Sequence, residues 1–239
     1  MAANAAEPLK RFYKTAQAAP LEGGFAVMLD GRPVRTPAKA RLILPTENLA
    51  ALIAGEWTAQ VDKIDLAVMR ATRLAFTAAD RVAVARAQTV TEIVQFAGSD
   101  LLCYFAQAPQ VLVQRQGAQW LPLLDWADRT LGVRLAPVAG IIHKPQPPES
   151  LARIQALCAE ADDFTLAGLA YGAGLYGSAV LALAVFRGER DGEAAFDLSR
   201  LDEAFQEEQW GVDDEAAVRT ARRRDEASML ERWFAALRT

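Results

Sequence analysis

The apolar positions follow two regimes along the chain. From residue 11 to residue 44 they come in short runs cut by Gly and Pro, with Asp30-Gly31 between Phe25–Leu29 and Val34–Thr36. An Asp-Gly pair accepts positive φ at both residues and turns a hairpin, so this segment predicts β-structure, with strands over 11–15, 25–29, 34–36 and 41–44. Thr46 then caps a helix expected over 47–61, in which Leu49, Leu52, Ile53 and Trp57 recur on one face. That spacing makes Trp57 a core residue.

Beyond Leu74 the spacing is helical, with helices expected over 72–97 and 149–160. Between them lies the densest apolar run, Ser99–Trp126, whose blocks at 101–105, 111–113 and 120–126 are interrupted by Pro109, Gly117 and Pro122. Blocks separated by breakers read as short helices turning on one another at the centre of the core. Gln107, Gln110, Gln114, Gln116 and Gln119 can pair buried backbone groups there. A connector with four prolines, 136–148, has room for an extended piece at 138–142. The fold class is α+β: a small β-containing N-terminal domain, 1–83, then a helical domain, 84–239.

Two segments imitate other functions. Gly172-Ala-Gly174-Leu-Tyr-Gly177 matches the dinucleotide fingerprint, which works between a strand and a helix N-terminus. Here an Asp162-Asp163 cap and a helical pattern precede it, so the glycines read as close helix packing and a turn. A nucleotide-binding enzyme using Gly172–Gly177 is the alternative. Residues 166–186 carry no charge and are long enough to span a bilayer, but their Gly and Ala content favours two short buried helices.

Composition narrows the partners. A net charge of −4 argues against nucleic acid and against an anionic membrane surface. Cys103 and Cys158 lack metal spacing and sit in apolar patterns, as buried reduced thiols do. The single histidine, His143, has no ligand or triad partners in sequence, and neither a nucleophile elbow nor a P-loop is present. The expectation is a protein with no catalytic residues, no cofactor and no metal. MAANAAEPLK has neither a signal-peptide core nor transit-peptide character, which places the chain in the cytoplasm.

The C-terminal region is more specific. On a helix through 197–211, Leu198, Leu201 and Phe205 face inward, and Glu203, Gln206, Glu207 and Trp210 face away. Gly211 ends that helix, and Asp213, Asp214 and Glu215 open the next. An acidic face with a tryptophan is either a solvated surface or an interaction hot spot. Glu203 could equally pair with Arg200 or Arg222.

Several stretches together resemble one family. They are Arg11-Phe12-Tyr13-Lys14; Leu29–Val34 with Thr36-Pro37; Glu56-Trp57 with Gln60; and Met69, Thr72, Leu74, Thr77 and Asp80. The set continues through Asp100–Tyr104, Pro109, Arg115-Gln116, Trp120, Pro122–Leu124 and Trp126, to Leu201, Glu203, Phe205-Gln206 and Trp210-Gly211. The chain is similar here to the assembly chaperones of the ATP synthase catalytic head (ATP-twelve type), which handle the free alpha subunit. It departs from their pattern at Arg70, Phe105 and Leu121, where proline, arginine and aspartate are usual. The resemblance implies a β-containing domain followed by an orthogonal helical bundle. It also implies binding of unassembled alpha subunit without catalysis. The chain is expected to be a monomer without membrane insertion, and the outward face, Glu203, Gln206, Glu207 and Trp210, is the expected partner-binding surface.

Overall fold

Asp30 (φ +47) and Gly31 (φ +79) turn strand β2 (Gly24–Leu29) into the short β3 (Arg32–Pro33), as the sequence predicts. This computed structural model describes residues 9–238; residues 1–8, which carry the reading of the N-terminus, lie outside the described residues. The strand antiparallel to β2 is β1 (Ala16–Leu21), not 11–15. Its alanines lack the β-branched signature of a strand. Of 11–15, Arg11 pairs instead with the 60–64 segment, its amide donating to the Asp62 carbonyl at 2.9 Å, while the Lys14 and Thr15 amides donate to the Asp30 carboxylate. Arg41–Leu44 adds only isolated bridges, Phe25 to Leu44 and Arg35 to Arg41.

Helix α1 (Glu47–Thr58) starts at Thr46, whose hydroxyl oxygen accepts from the Leu49 amide at 3.1 Å. The same hydroxyl donates to the Ala236 carbonyl at 2.6 Å, tying the start of α1 to the last helix of the chain. Trp57 is buried, edge-on to Tyr13 at 5.7 Å, and the Tyr13 hydroxyl donates to the Trp57 carbonyl. Its neighbour Glu56 has a separate task. The Glu56 carboxylate accepts from the amides of Ala71 and Thr72, at 2.8 and 2.7 Å, and from the Thr72 hydroxyl. It thereby caps α2 (Arg70–Thr77), which has no side-chain cap of its own.

The single helix expected over 72–97 is divided. A π turn at 78–82 follows α2, and α3 (Arg86–Gly98) begins after it. In the central run the order is reversed, because fewer helices form than the breakers suggest. A 3-10 turn at Leu101–Cys103 leads to β4 (Tyr104–Phe105), and then one helix, α4 (Gln110–Trp126), runs through both Gly117 and Pro122. Proline is tolerated because Pro122 and Ala118, whose carbonyl loses its partner, both face solvent. β5 (Val138–Ala139) pairs in parallel with β4, in the connector segment expected to be extended.

Helix α5 (Pro148–Glu160) precedes the two apolar helices α6 (Asp163–Tyr176) and α7 (Ala179–Arg187). Gly177, at φ +65, separates these two, and Ser178 caps the second. They are followed by α8 (Gly192–Ser199), α9 (Leu201–Trp210) and α10 (Asp214–Leu237). The 197–211 run is thus two helices. The Ser199 hydroxyl donates to the Phe196 carbonyl at 2.7 Å, competing with the helical ladder at the break. Helix α10 packs on α1, α6 and α8, joining the β-containing part to the bundle in one apolar core.

Glycines set the closeness of that packing. A Cβ on Gly168 would fall 2.7 Å from Phe234 Cε1, and one on Gly172 would fall 2.9 Å from Leu230 Cδ2. Of the fingerprint-like glycines, Gly172 is thus a helix-packing residue and Gly177 a turn, whereas Gly174 is exposed and not closely packed; the segment before them is helix, not strand. Cys103 and Cys158 are free and buried, and burial pushes both thiols up, to about 12 and about 11. Among the described residues, no helix is long and apolar enough to cross a membrane.

Candidate functional site

The central run and the C-terminal run meet. Gln116, fully buried on α4, is satisfied at both ends of its amide: Oε1 accepts from the Ala106 amide at 2.8 Å, and Nε2 donates to Asp202 Oδ1 at 2.6 Å. Burial raises the Asp202 carboxyl above the usual range, with the Glu203 charge adding to this and the Gln116 bond opposing it. One turn along α4, Trp120 is buried edge-on to Phe105 at 5.5 Å, and its indole N–H donates to the Leu198 carbonyl at 3.0 Å. One residue before Gln116, Arg115 makes a bidentate pair with Glu208, at 2.7 and 3.0 Å, and lies 5.4 Å from the Phe205 ring centre. The Glu208 hydrogen bonds raise the Arg115 guanidinium and lower the Glu208 carboxyl.

Side chains of α4 thus hold the inner edge of α9 through a buried amide and a guanidinium, and the end of α8 through an indole. The sequence offered a signal for this, since glutamines and an arginine inside an apolar run need partners, but it did not say which. Asp202 and Glu208, which complete the platform, were missed.

With Leu201 and Phe205 buried, the opposite side of α9 faces out. Glu203 and Gln206 are exposed, and Trp210 is 78% exposed at the end of the helix. Val212, in the elbow before α10, and Val218, in its second turn, are each about half exposed. Asp213 caps α10 by accepting from the Ala216 amide. Among the described residues, Glu203 makes no ion pair: Arg200 is taken by Glu207, at 2.6 Å. Glu207 departs from the expectation, being half-buried and paired with Arg200 at the α8–α9 junction rather than free on the face. No group of three or more His, Cys, Asp or Glu able to hold a metal occurs among the described residues. The structure brings Glu203, Gln206 and Trp210 onto one surface and turns Glu207 back onto the scaffold.

Residues 10–128 match the family model described as ATP12 chaperone protein. The crystal structure of Atp12 from Paracoccus denitrificans is 42% identical, with a TM-score of 0.90 over 96% of this chain and 99% of that one. The chain belongs to the ATP12 chaperone family. A second solved structure, from Agrobacterium tumefaciens, is 41% identical and matches with a TM-score of 0.90 over 96% of this chain and 86% of that one. The mitochondrial protein atp12 of Schizosaccharomyces pombe is 25% identical over 218 residues, 84% of this chain and 74% of that protein. This ATP12-family chain has the small N-terminal sheet and predominantly helical remainder of the solved structures.

Proposed function

We propose that this protein is a non-enzymatic assembly chaperone of the ATP synthase catalytic head. It binds the unassembled alpha subunit through the outer face of α9, and acts as a monomer in a bacterial cytoplasm. The observation that carries the reading is the division of labour on α9: Asp202, Phe205 and Glu208 are spent on α4, while Glu203, Gln206 and Trp210 are left exposed. An exposed tryptophan amid polar groups on a braced helix is the composition of an interaction hot spot. An alpha subunit without beta exposes apolar surface that aggregates, and a protein covering it must yield to the larger native interface. Assembly itself can drive that exchange, so no nucleotide chemistry is needed.

The test is an aggregation assay on isolated alpha subunit with wild type, Glu203→Lys and Trp210→Ala. Glu160→Lys serves as control, since Glu160 is exposed at the far end of α5. Both face variants should keep the wild-type melting curve and protect at least tenfold less efficiently, as about 2 kcal/mol lost at a hot spot requires. Protection by both at the wild-type level would place the client surface elsewhere.

A further inference from the structure

A second feature lies away from α9. Helices α2, α3, α6 and α10 frame a cleft of about 450 Å³. One wall is the α2 face and the turn after it, which carry Arg70, Arg73 and Arg81. Its floor is aliphatic, from Leu74, Val82 and Ala170. A second cavity shares Ala170, Tyr171 and Glu226 with it and continues along α6 to Gly174, Leu175 and Arg223.

The two cavities therefore form an elongated trough rather than a closed pocket. From Ala167 to Gly174 it follows two turns of α6, about 10 Å at 1.5 Å per residue. That is the length of about three residues of extended chain. Gly174 is exposed and a Cβ there would touch only Phe96, at 3.9 Å, so the trough stays open at that end.

Charge in the trough opposes that of the chain, which is −4 overall. Arg70 has one long contact to Asp225, at 3.5 Å, and that carboxylate is mostly exposed. Arg73 and Arg81 are exposed and make no ion pair among the described residues. Arg223 donates to the Leu175 carbonyl at the far end. Against these stand Glu92 and Glu226, the latter beside the Tyr171 hydroxyl, whose pKa is raised by burial and by that carboxylate. Four guanidinium groups against two lining carboxylates leave the trough net positive. Guanidinium forks favour carboxylates, and an aliphatic floor favours an apolar side chain between them.

We propose that this trough binds a short extended acidic segment of a protein client, with carboxylate side chains on Arg73 and Arg81 and an apolar residue over Leu74 and Val82. Only the identity of the occupant as a client segment rests on the chaperone reading. The anion-binding trough itself does not.

The test uses a fluorescein-labelled octapeptide alternating Glu and Leu, its Lys-for-Glu counterpart, and free citrate, with binding read by anisotropy at low salt. The Glu/Leu peptide should bind, and Arg73→Glu combined with Arg81→Glu should weaken it about tenfold or more, as should raising the salt. Both arginines are exposed, so the variant's melting curve should match the wild type. Absence of binding, equal binding by the variant, or equal binding of the Lys peptide would overturn the proposal. Citrate binding as tightly as the peptide would also overturn it, making the trough a small-anion site. Protection of alpha subunit by the same variant is read separately. Loss of protection in Glu203→Lys with peptide binding intact isolates the α9 face from the trough.

Discussion

Asp100 should give this protein an unusual acid response. Its side chain is fully buried where the 3-10 turn at 101–103 meets the start of α7. Oδ1 accepts from the Leu102 amide at 3.2 Å, and Oδ2 from the Val180 amide at 3.1 Å. Desolvation outweighs these donors and the Ser178 hydroxyl, pushing the carboxyl from 3.8 to about 6. The folded state therefore holds this proton more tightly than the unfolded chain. The group's contribution to stability is greatest below pH 3.8 and is lost as pH rises through about 6. The full difference is worth about 3 kcal/mol, of which about 1 kcal/mol falls between pH 7.5 and pH 5. Asp100→Asn removes the titration but leaves an amide NH₂ facing a backbone N–H, so it costs stability at any pH. Urea unfolding of both proteins at the two pH values isolates the residue, since other carboxylates cancel in the difference. The wild-type advantage should grow by about 1 kcal/mol on going to pH 5. Parallel curves would show that Asp100 does not titrate in this window, and the account of its burial would fail.

Two glycines should respond in opposite directions. A Cβ on Gly192 would meet the Ala227 backbone carbonyl oxygen, and the carbonyl carbon at 2.7 Å, so Gly192→Ala must push α8 off α10. About 3 kcal/mol is expected, a fall in Tm of roughly 6–12 °C by differential scanning calorimetry. Gly117 lies inside α4, where a Cβ would meet only Leu121 at 4.0 Å, so Gly117→Ala should raise stability by about 0.5–1 kcal/mol. Glu56→Ala strips the cap from α2 and leaves the buried Ala71 and Thr72 amides without acceptors. It should lower the unfolding free energy by about 2–3 kcal/mol, read as a lower urea midpoint at unchanged m, whereas an unchanged midpoint would mean that water replaces the carboxylate.

What could be read from the sequence was local. Thr46, Asp162 and Asp213 cap the helices they precede, Asp30-Gly31 turns a hairpin, and Gly177 separates two buried helices, all from chemistry confined to a few residues. The misreadings arose where a distant partner overrides a local rule. Pro122 stays inside α4 because its side of the helix faces water, and sequence does not record which side that is. Residues 11–15 fall outside the sheet because Arg11 pairs with Asp62 and the Lys14 and Thr15 amides bond the Asp30 carboxylate rather than a neighbouring strand. Ser199 is a local exception, its hydroxyl competing with the helical ladder for the Phe196 carbonyl. For the candidate site, helical periodicity placed Glu203, Gln206 and Trp210 outside, but the pairing of Glu207 with Arg200 follows from side-chain reach rather than periodicity. The trough was invisible in sequence because α2, α3, α6 and α10 each contribute only part of it.

The bracing of α9 has a consequence for how its outer face can work. The Arg115–Glu208 pair is partly exposed and screened, and pairs of that kind contribute little to stability. Gln116 and Asp202 differ, since they are drawn out of water and each would leave the other poorly satisfied if α9 lifted. The inner anchor therefore fixes the position of α9, and the outer guanidinium fixes its rotation about Phe205. A helix held this way presents Glu203 and Trp210 in one orientation without ordering them at the moment of binding, which lowers the entropic cost of association. On the function proposed above, a client held on these few side chains can be released to a larger native partner. Rigidity in the platform and few side chains in the face are the two properties that the proposed chaperone requires to work without a nucleotide cycle, and α4 and α9 divide them between them.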